Sequence, residues 1–360
     1  MMDAPMSRFG AVFSKRYGFF PVKPGPIAGT FYSALARLHD VNIFDSQDEE
    51  TITAAFLGAC ISAFPFCVAL FASGDDVVQR CAWGQYRKTG SASTQTESKS
   101  GADFVIVHWI SKDETRVAIF QAKRVAQVEK ASECESSGKN ERPFTTNLPE
   151  KQFEMDVHRA PPKVSEESKE RGETPRVKRA KRRPQLLQLI SNGQRIYETI
   201  SGENSGQDWS QTSSLKHLHW IHYLAYVNPT SIRLREQTLC VSLKDLEDES
   251  KEDRKNEVAN TSKAIKVDLS GARVVALSRV FKEGFRRRCS SGWLTVHARD
   301  LPGLLPTLTE IGTVVVADQG DGRGLAELLE PDKVADIYND GFEALPPSAG
   351  INRRGPRQRP

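Results

Sequence analysis

The stretch Glu97–Arg124, ESKSGADFVIVHWISKDETRVAIFQAKR, holds two apolar runs separated by one short polar turn. Phe104 to Ile110 is apolar on both alternating faces except at His108, the pattern of a strand buried inside a sheet. Lys112, Asp113 and Glu114 form the turn, and Val117 to Phe120 is the second run, ending abruptly in Gln121-Ala122-Lys123. With the turn centred near Asp113, antiparallel pairing sets Asp103 opposite Lys123. Gln121 then lies one diagonal step away, on the same face as Lys123 because residues i and i+2 share a face. Three polar groups meet at one end of a buried hairpin. A solvated edge has no need of that arrangement.

Outward from the hairpin, the 360 residues suggest about two domains, at roughly 150 residues each. The apolar share is 38%, the charged share 27% and the net charge +4, which excludes a uniformly basic nucleic-acid coat. Collagen-like, coiled-coil and disulfide-scaffold classes are excluded too. Much of the polarity sits in Ala131 to Pro184, rich in Pro, Glu, Lys and Ser and without a sustained period, which reads as a disordered insertion. Its last part, Arg159 to Pro184, carries ten Lys or Arg against four Glu and ends in the basic run RVKRAKRR. Such a run is either a solvated linker or a contact for a phosphate backbone. Lys244 to Glu257 reads as an exposed charged connection. The expected organisation is an N-terminal segment 1–45, a core 46–240 interrupted at 131–184, a connection 241–261, a C-terminal α/β region 262–345 and a basic tail 346–360.

Six cysteines without a CxxC pair, and an N-terminal stretch broken by Arg8, Lys15 and Arg16, point to a reduced, cytoplasmic protein. Thr51 to Gly74 carries no charge and is long enough to span a bilayer. Pro65 divides it, and the favoured reading is a core helix (51–63) followed by a buried strand (66–71), with no membrane involved. Ser46-Gln47-Asp48-Glu49 fits a capping box in which Glu49 occupies the third helical position.

Gly101-Ala102-Asp103, a strand, a turn, a second strand and Gln121-Ala122-Lys123 resemble the PD-(D/E)xK, or restriction-endonuclease-like, nuclease superfamily. The closer likeness is to its QxK branch, which includes Mrr-type restriction enzymes and bacterial GAD…QAK proteins. In that fold a helix bearing Glu comes first and another helix and strand follow the hairpin. Here Glu49-Glu50 open the uncharged helix, Gln185 to Ile200 supply the later helix and Leu218 to Val227 the strand. The resemblance covers residues 46–230, with 131–184 as an insertion. It implies an α/β fold with a restriction-endonuclease-like core, a central mixed β-sheet flanked by helices, plus a C-terminal extension.

The site this resemblance implies is catalytic and metal-binding. A Mg²⁺ (or Mn²⁺) ion takes hard oxygen ligands and keeps several waters, so one or two carboxylates suffice. Asp103 is the main expected ligand, joined by the Gln121 side-chain oxygen, the Ala122 carbonyl and a helix carboxylate. Glu50 is preferred for the last because the capping box occupies Glu49, with Glu97 a further candidate. Lys123 is expected beside the nucleophilic water; its plainer reading is half of an ion pair with Asp103. Gln188 joins as a helix residue near backbone or metal, although Leu186, Leu189 and Ile190 make an ordinary amphipathic helix of the same segment. Gln185 and Arg195 lie on that helix.

Other constellations carry less. His217, His219 and His222 suggest a strand with polar positions more than a zinc site, and His108 a satisfied core histidine. The glycines of DQGDGRG (318–324) match no phosphate-binding fingerprint. The resulting expectation is a metal-dependent nuclease, most simply a DNA endonuclease in a defence or toxin role, with a homodimer open. Two alternatives stand beside it: a nuclease-like fold that binds nucleic acid without cutting, and a membrane-associated protein anchored by 51–74.

Overall fold

The computed structural model describes residues 4–18, 20–21, 24–41, 47–71, 82–86, 102–111, 113–123, 125–129, 151–158, 185–202, 214–227, 238–255, 265–286 and 291–318. Its centre is the hairpin of β2 (Phe104–Trp109) and β3 (Thr115–Lys123). Every residue of β2 is buried, and β3 is buried as far as Ala122. The pairing sets Phe104 opposite Phe120 and Trp109 opposite Thr115. At the turn, the N–H groups of Ile110 and Ser111 donate to the Glu114 carbonyl at 3.0 and 3.1 Å, which closes the loop one residue earlier than the sequence suggests. Moving a turn centre by one residue slides the pairing by two. Asp103 therefore lies across from Gln121, not from Lys123, and its N–H donates to the Phe120 carbonyl at 3.0 Å. An even slip keeps every side chain on its face.

The hairpin is flanked by parallel neighbours. β11 (Thr313–Asp318) lies along β2, and β6 (Ile221–Tyr226) along the end of β3. β10 (Leu294–Val296) takes the start of β3, β1 (Ala82–Tyr86) pairs with β11, and β7 (Thr238–Ser242) and the two-residue β9 (Val275–Ala276) extend the far side. The result is an α/β structure around a mixed sheet, eight-stranded among the described residues. Of the expected C-terminal region at 262–345, the described strands β9, β10 and β11 join this same sheet. The apolar run TVVVA needs a strand on each edge and cover on each face, and β11 finds them between β1 and β2.

Helices close both faces. On one, α2 (Pro26–Val41), α3 (Glu49–Phe71) and α6 (Leu277–Gly284) pack Phe31, Phe56 and Phe281 against Phe104, Ile106, Phe120 and Val315. On the other, α4 (Gln185–Ser201) and α7 (Leu301–Ile311) pack Leu186, Leu189, Ile190 and Leu308 against Val105, Val107, Ile119 and Val316. α1 (Ala4–Tyr17) brings Phe13 and Tyr17 to the first cluster.

α3 corrects the expectation of a helix and a strand: one helix runs through Pro65 to Phe71. Pro65 lies on the exposed side, where the carbonyl that loses its partner can be hydrated, so the interruption costs less than it would in a core. By length and composition α3 could cross a membrane. Its first half, however, buries Ile52, Phe56, Leu57 and Cys60 under the sheet. Phe56 sits 5.9 Å from Phe104.

Two further expectations change. Lys151–His158, inside the segment read as disordered, forms β5, which joins β4 (Val125–Glu129) and β8 (Ile265–Asp268) in a second, three-stranded sheet. Met155 is buried there, paired with Val125 and Val267. The rest of 131–184 lies outside the described residues. Glu247–Lys255, read as a loop, is the helix α5, whose first turn carries Glu247, Asp248 and Glu249, a placement that complements the helix dipole.

Candidate active site

Five elements meet where β3 ends: the residue preceding β2, the last turn of β6, the start of β11, and the first residues of α3 and α4. Asp103 is half-buried there, and its main chain is fixed from two sides. Its N–H bonds β3 as described, and its carbonyl accepts from the Thr313 N–H at 3.1 Å. Gly312, which closes α7, abuts the same peptide. A Cβ at Gly312 would lie 3.2 Å from the Asp103 carbonyl carbon and oxygen, so a side chain there would have to displace this peptide by a few tenths of an ångström.

The Asp103 carboxylate turns onto the motif strand. Its Oδ2 accepts from the Ala122 N–H at 2.6 Å and from Gln121 Nε2 at 2.9 Å. The same Gln121 nitrogen donates to the Ala122 carbonyl at 3.0 Å. A carboxylate oxygen and a carbonyl oxygen can only accept, so it is the amide nitrogen of Gln121 that faces them. Two hard oxygens, one anionic, thus converge on a single point.

Lys123 is half-buried at the end of β3, and its ammonium donates to the Gln185 side-chain oxygen. Alternation along β2 and β3 puts Asp103, Gln121 and Lys123 on the α4 side of the sheet, since Val105, Val107, Val117 and Ile119 belong to that cluster. Gln185 is the first residue of α4, so the helix start and the motif lysine meet directly.

The helix carboxylates sit differently from expectation. Asp48 caps α3: its Oδ1 accepts from the Thr51 N–H at 2.7 Å, and its carbonyl from Ile52 at 3.1 Å. Ser46, the cap expected from the sequence, lies outside the described residues; among those described it is Asp48 that caps the first turn. Glu49 and Glu50 become the first two helical residues. Glu49 is half-buried and Glu50 exposed. Thr53, one turn beyond Glu49, bonds the Tyr226 hydroxyl at 3.0 Å and pins this end of α3 to β6. Burial, opposed by the Thr53 hydrogen bond and reinforced by the Asp103 charge, holds the Tyr226 hydroxyl well above the usual phenol range, so it stays protonated. α3 lies on the sheet face opposite Asp103, and its nearest tie to the site is the Thr53–Tyr226 hydrogen bond.

The remaining candidates are placed elsewhere. Gln188 Nε2 donates to Asn192 Oδ1 at 3.3 Å along α4, and Arg195 pairs with Glu310 at 3.2 Å on the surface. Glu97 lies outside the described residues. His217 is in a single 3-10 turn with its ring tilted against Tyr197, while only His222 of the three is on β6. His219 and His222 hold one loop: Gly292 N–H donates to His219 Nδ1 at 3.3 Å, and His222 Nε2 meets the Gly292 carbonyl at 2.9 Å. His108 is fully buried, with its Nδ1 3.3 Å from the Gly284 carbonyl.

Sequence reasoning placed Gln185 on the right helix without assigning it to Lys123, and it missed Gly312. The proline before Gln185 and the glycine after α7 marked two helix ends, but contacts with residues 62 and over 200 positions away leave no local signal.

Among the described residues, no group of three or more His, Cys, Asp and Glu side chains is placed to hold a metal. The donor set here is instead one carboxylate, one carbonyl and one side-chain amide, a chemistry that suits a hard, partly hydrated divalent cation and not a soft one. No protein-family model, no curated protein and no solved structure matches the chain.

Proposed function

We propose that the chain is a metal-dependent nuclease that hydrolyses phosphodiester bonds of nucleic acid, with DNA as the substrate cut internally. The observation that carries this reading is the convergence of the Asp103 carboxylate and the Ala122 carbonyl on the Gln121 amide, with Lys123 on the same face. Asp103, the Ala122 carbonyl and Gln121, its amide turned to present oxygen, would hold Mg²⁺ or Mn²⁺. A helix carboxylate, Glu50 or its neighbour Glu49, would join them. When bound, such an ion lowers the pKa of a water and offsets charge on the phosphate oxygens. Lys123 orients the attacking water and faces the negative charge that develops as the bond breaks.

The basic run Arg176–Arg183 ends two residues before Gln185 in the sequence, which supports a polyanionic partner. Cytoplasmic action in defence or as a toxin comes with the family resemblance and is proposed on that basis. A second reading, a nucleic-acid-binding protein of the same fold that does not cut, draws on Asp103 being the one carboxylate among the motif residues Asp103, Gln121 and Lys123.

Plasmid DNA incubated with the protein and Mg²⁺ or Mn²⁺ tests the proposal. Nicking or linearisation by the wild type, lost in Asp103→Ala and in Lys123→Ala, is the expected result. Cleavage that survives both substitutions would place the chemistry elsewhere. Firm DNA binding without cleavage, and without affinity for either ion, would select the second reading.

A further inference from the structure

We infer that the second half of α3, with the ends of α1 and α2 beside it, docks on an anionic phospholipid bilayer, lying on the membrane without crossing it. Ile52, Phe56, Leu57 and Cys60 hold the first half under the sheet, which commits that end of the helix to the core. The second half is apolar without being covered. Of an eighteen-residue stretch of α3 apolar enough to span a bilayer, only 22% is buried, whereas a core helix of that character is mostly buried. Phe66 is 71% exposed, and Pro65 and Ala69 near it are exposed too. One exposed apolar side chain is ordinary, but a run of them along a helix marks a surface that something else covers.

The neighbouring helices say what covers it. α1, α2 and α3 surround an open cavity of about 570 Å³ whose apolar lining includes Phe13, Ala36, Ala59, Ala63, Phe66 and Leu70. Lys15, Arg16 and Arg37 are exposed on α1 and α2. The one carboxylate of those two helices, Asp40, already accepts from Arg16 at 2.8 Å and from the Tyr17 hydroxyl at 2.7 Å. From Thr51 onward α3 carries no charge at all. An apolar face beside cations matches a bilayer, which offers acyl chains to Phe66 and phosphates to the lysine and arginines. A two-fold contact with a second copy would set positive helices against themselves. Nucleic acid would meet the cations and leave Phe66 in water.

The test pellets the full-length protein with vesicles of phosphatidylcholine, with and without phosphatidylserine. Retention on the mixed vesicles is expected, weaker on the neutral ones and reduced by high salt. Phe66→Ser is expected to lower the partition coefficient roughly tenfold and Arg37→Gln about fivefold, both with an unchanged melting temperature because the two side chains are exposed. Phe66→Trp is expected to add fluorescence that shifts to the blue when mixed vesicles are added. No retention on either vesicle, or retention that Phe66→Ser leaves unchanged, would overturn the inference. A dimer in lipid-free solution that Phe66→Ser dissociates, without vesicle binding, would assign the face to a second copy and overturn it as well. None of these readouts depends on cleavage, so the inference and the nuclease reading stand or fall separately.

Discussion

The carboxylate of Asp103 and the amide of Gln121 face each other across the β2–β3 hairpin at 2.9 Å, and the Ala122 N–H reaches the same carboxylate oxygen at 2.6 Å. One acid therefore serves two ends. It closes the hairpin beyond its last paired residues, and on the proposed reading it is also the anionic oxygen offered to a cation. Asp103→Asn is expected to abolish cleavage, by roughly a hundredfold or more, while the remaining carbonyl oxygen still accepts from Ala122. Asp103→Ala removes that acceptor as well and is expected to cost a further 1–3 kcal/mol, about what an unsatisfied buried donor costs. Urea unfolding of the two variants, set beside plasmid nicking, separates the two roles.

Gln121→Glu restores a second acid to the hairpin. Two carboxylates this close repel unless a cation lies between them. The variant is expected to melt below the wild type in EDTA and to gain more than the wild type from Mn²⁺, with ion affinity raised roughly tenfold or more. Calorimetric titration and melting curves with and without Mn²⁺ decide it; equal gains in both proteins would mean that residue 121 does not face the ion.

Gly312→Ala tests the packing behind Asp103. The added methyl would press on the Asp103 carbonyl at 3.2 Å, and backbone has little room to yield. A cost of about 1–3 kcal/mol is expected, as for overpacking elsewhere. A drop in cleavage measured well below the melting temperature would show that the displaced peptide carries the carboxylate with it.

Thr53 and Tyr226 tie α3 to β6 at the site end. Thr53→Val or Tyr226→Phe leaves one buried hydroxyl without its partner and is expected to cost about 1–2 kcal/mol, whereas the double variant should cost less than the sum. If Glu49 acts at the site, each single variant will also weaken Mn²⁺ binding. Unchanged affinity would detach the helix from the chemistry.

His222 gives the fold an acid limit. Burial lowers its pKa from 6.5 to about 4, so the native state favours the neutral ring. Its folded value lies below its unfolded one, hence its contribution is fully present above about pH 6.5 and is lost as pH falls towards 4. The difference corresponds to at most about 3 kcal/mol. Denaturant unfolding between pH 7 and pH 4 should show this slope, and His222→Gln, which keeps a donor for the Gly292 carbonyl, should flatten it.

The legible part of the site was the part written in adjacent residues. Phe104–Trp109 and Val117–Phe120 could only be inner strands, and the polar ends of the two runs fall on one face in both the expected and the observed register, which differ by an even slip. The register itself slipped by two because a turn of three polar residues has more than one closure, and only the Ile110–Glu114 hydrogen bonds select among them. The strand at Lys151–His158 was overlooked although Phe153, Met155 and Val157 alternate. Eight residues inside a polar segment have no core until β4 and β8 supply one. Pro65 looked like a boundary and is not, because propensity yields to a helix whose first turns are anchored under the sheet.

By itself the sequence determined the buried hairpin and the polar trio Asp103, Gln121 and Lys123, since periodicity acts through neighbours along the chain, while the α/β class came with the family resemblance. Only the tertiary structure decided what those residues touch. It set Gln121 rather than Lys123 opposite Asp103, brought Gln185 to the lysine, and inserted β11, from the far end of the chain, as the strand beside β2. Such contacts depend on how helices and strands distant in sequence share the two faces of one sheet, and that is a property of packing which no short stretch encodes.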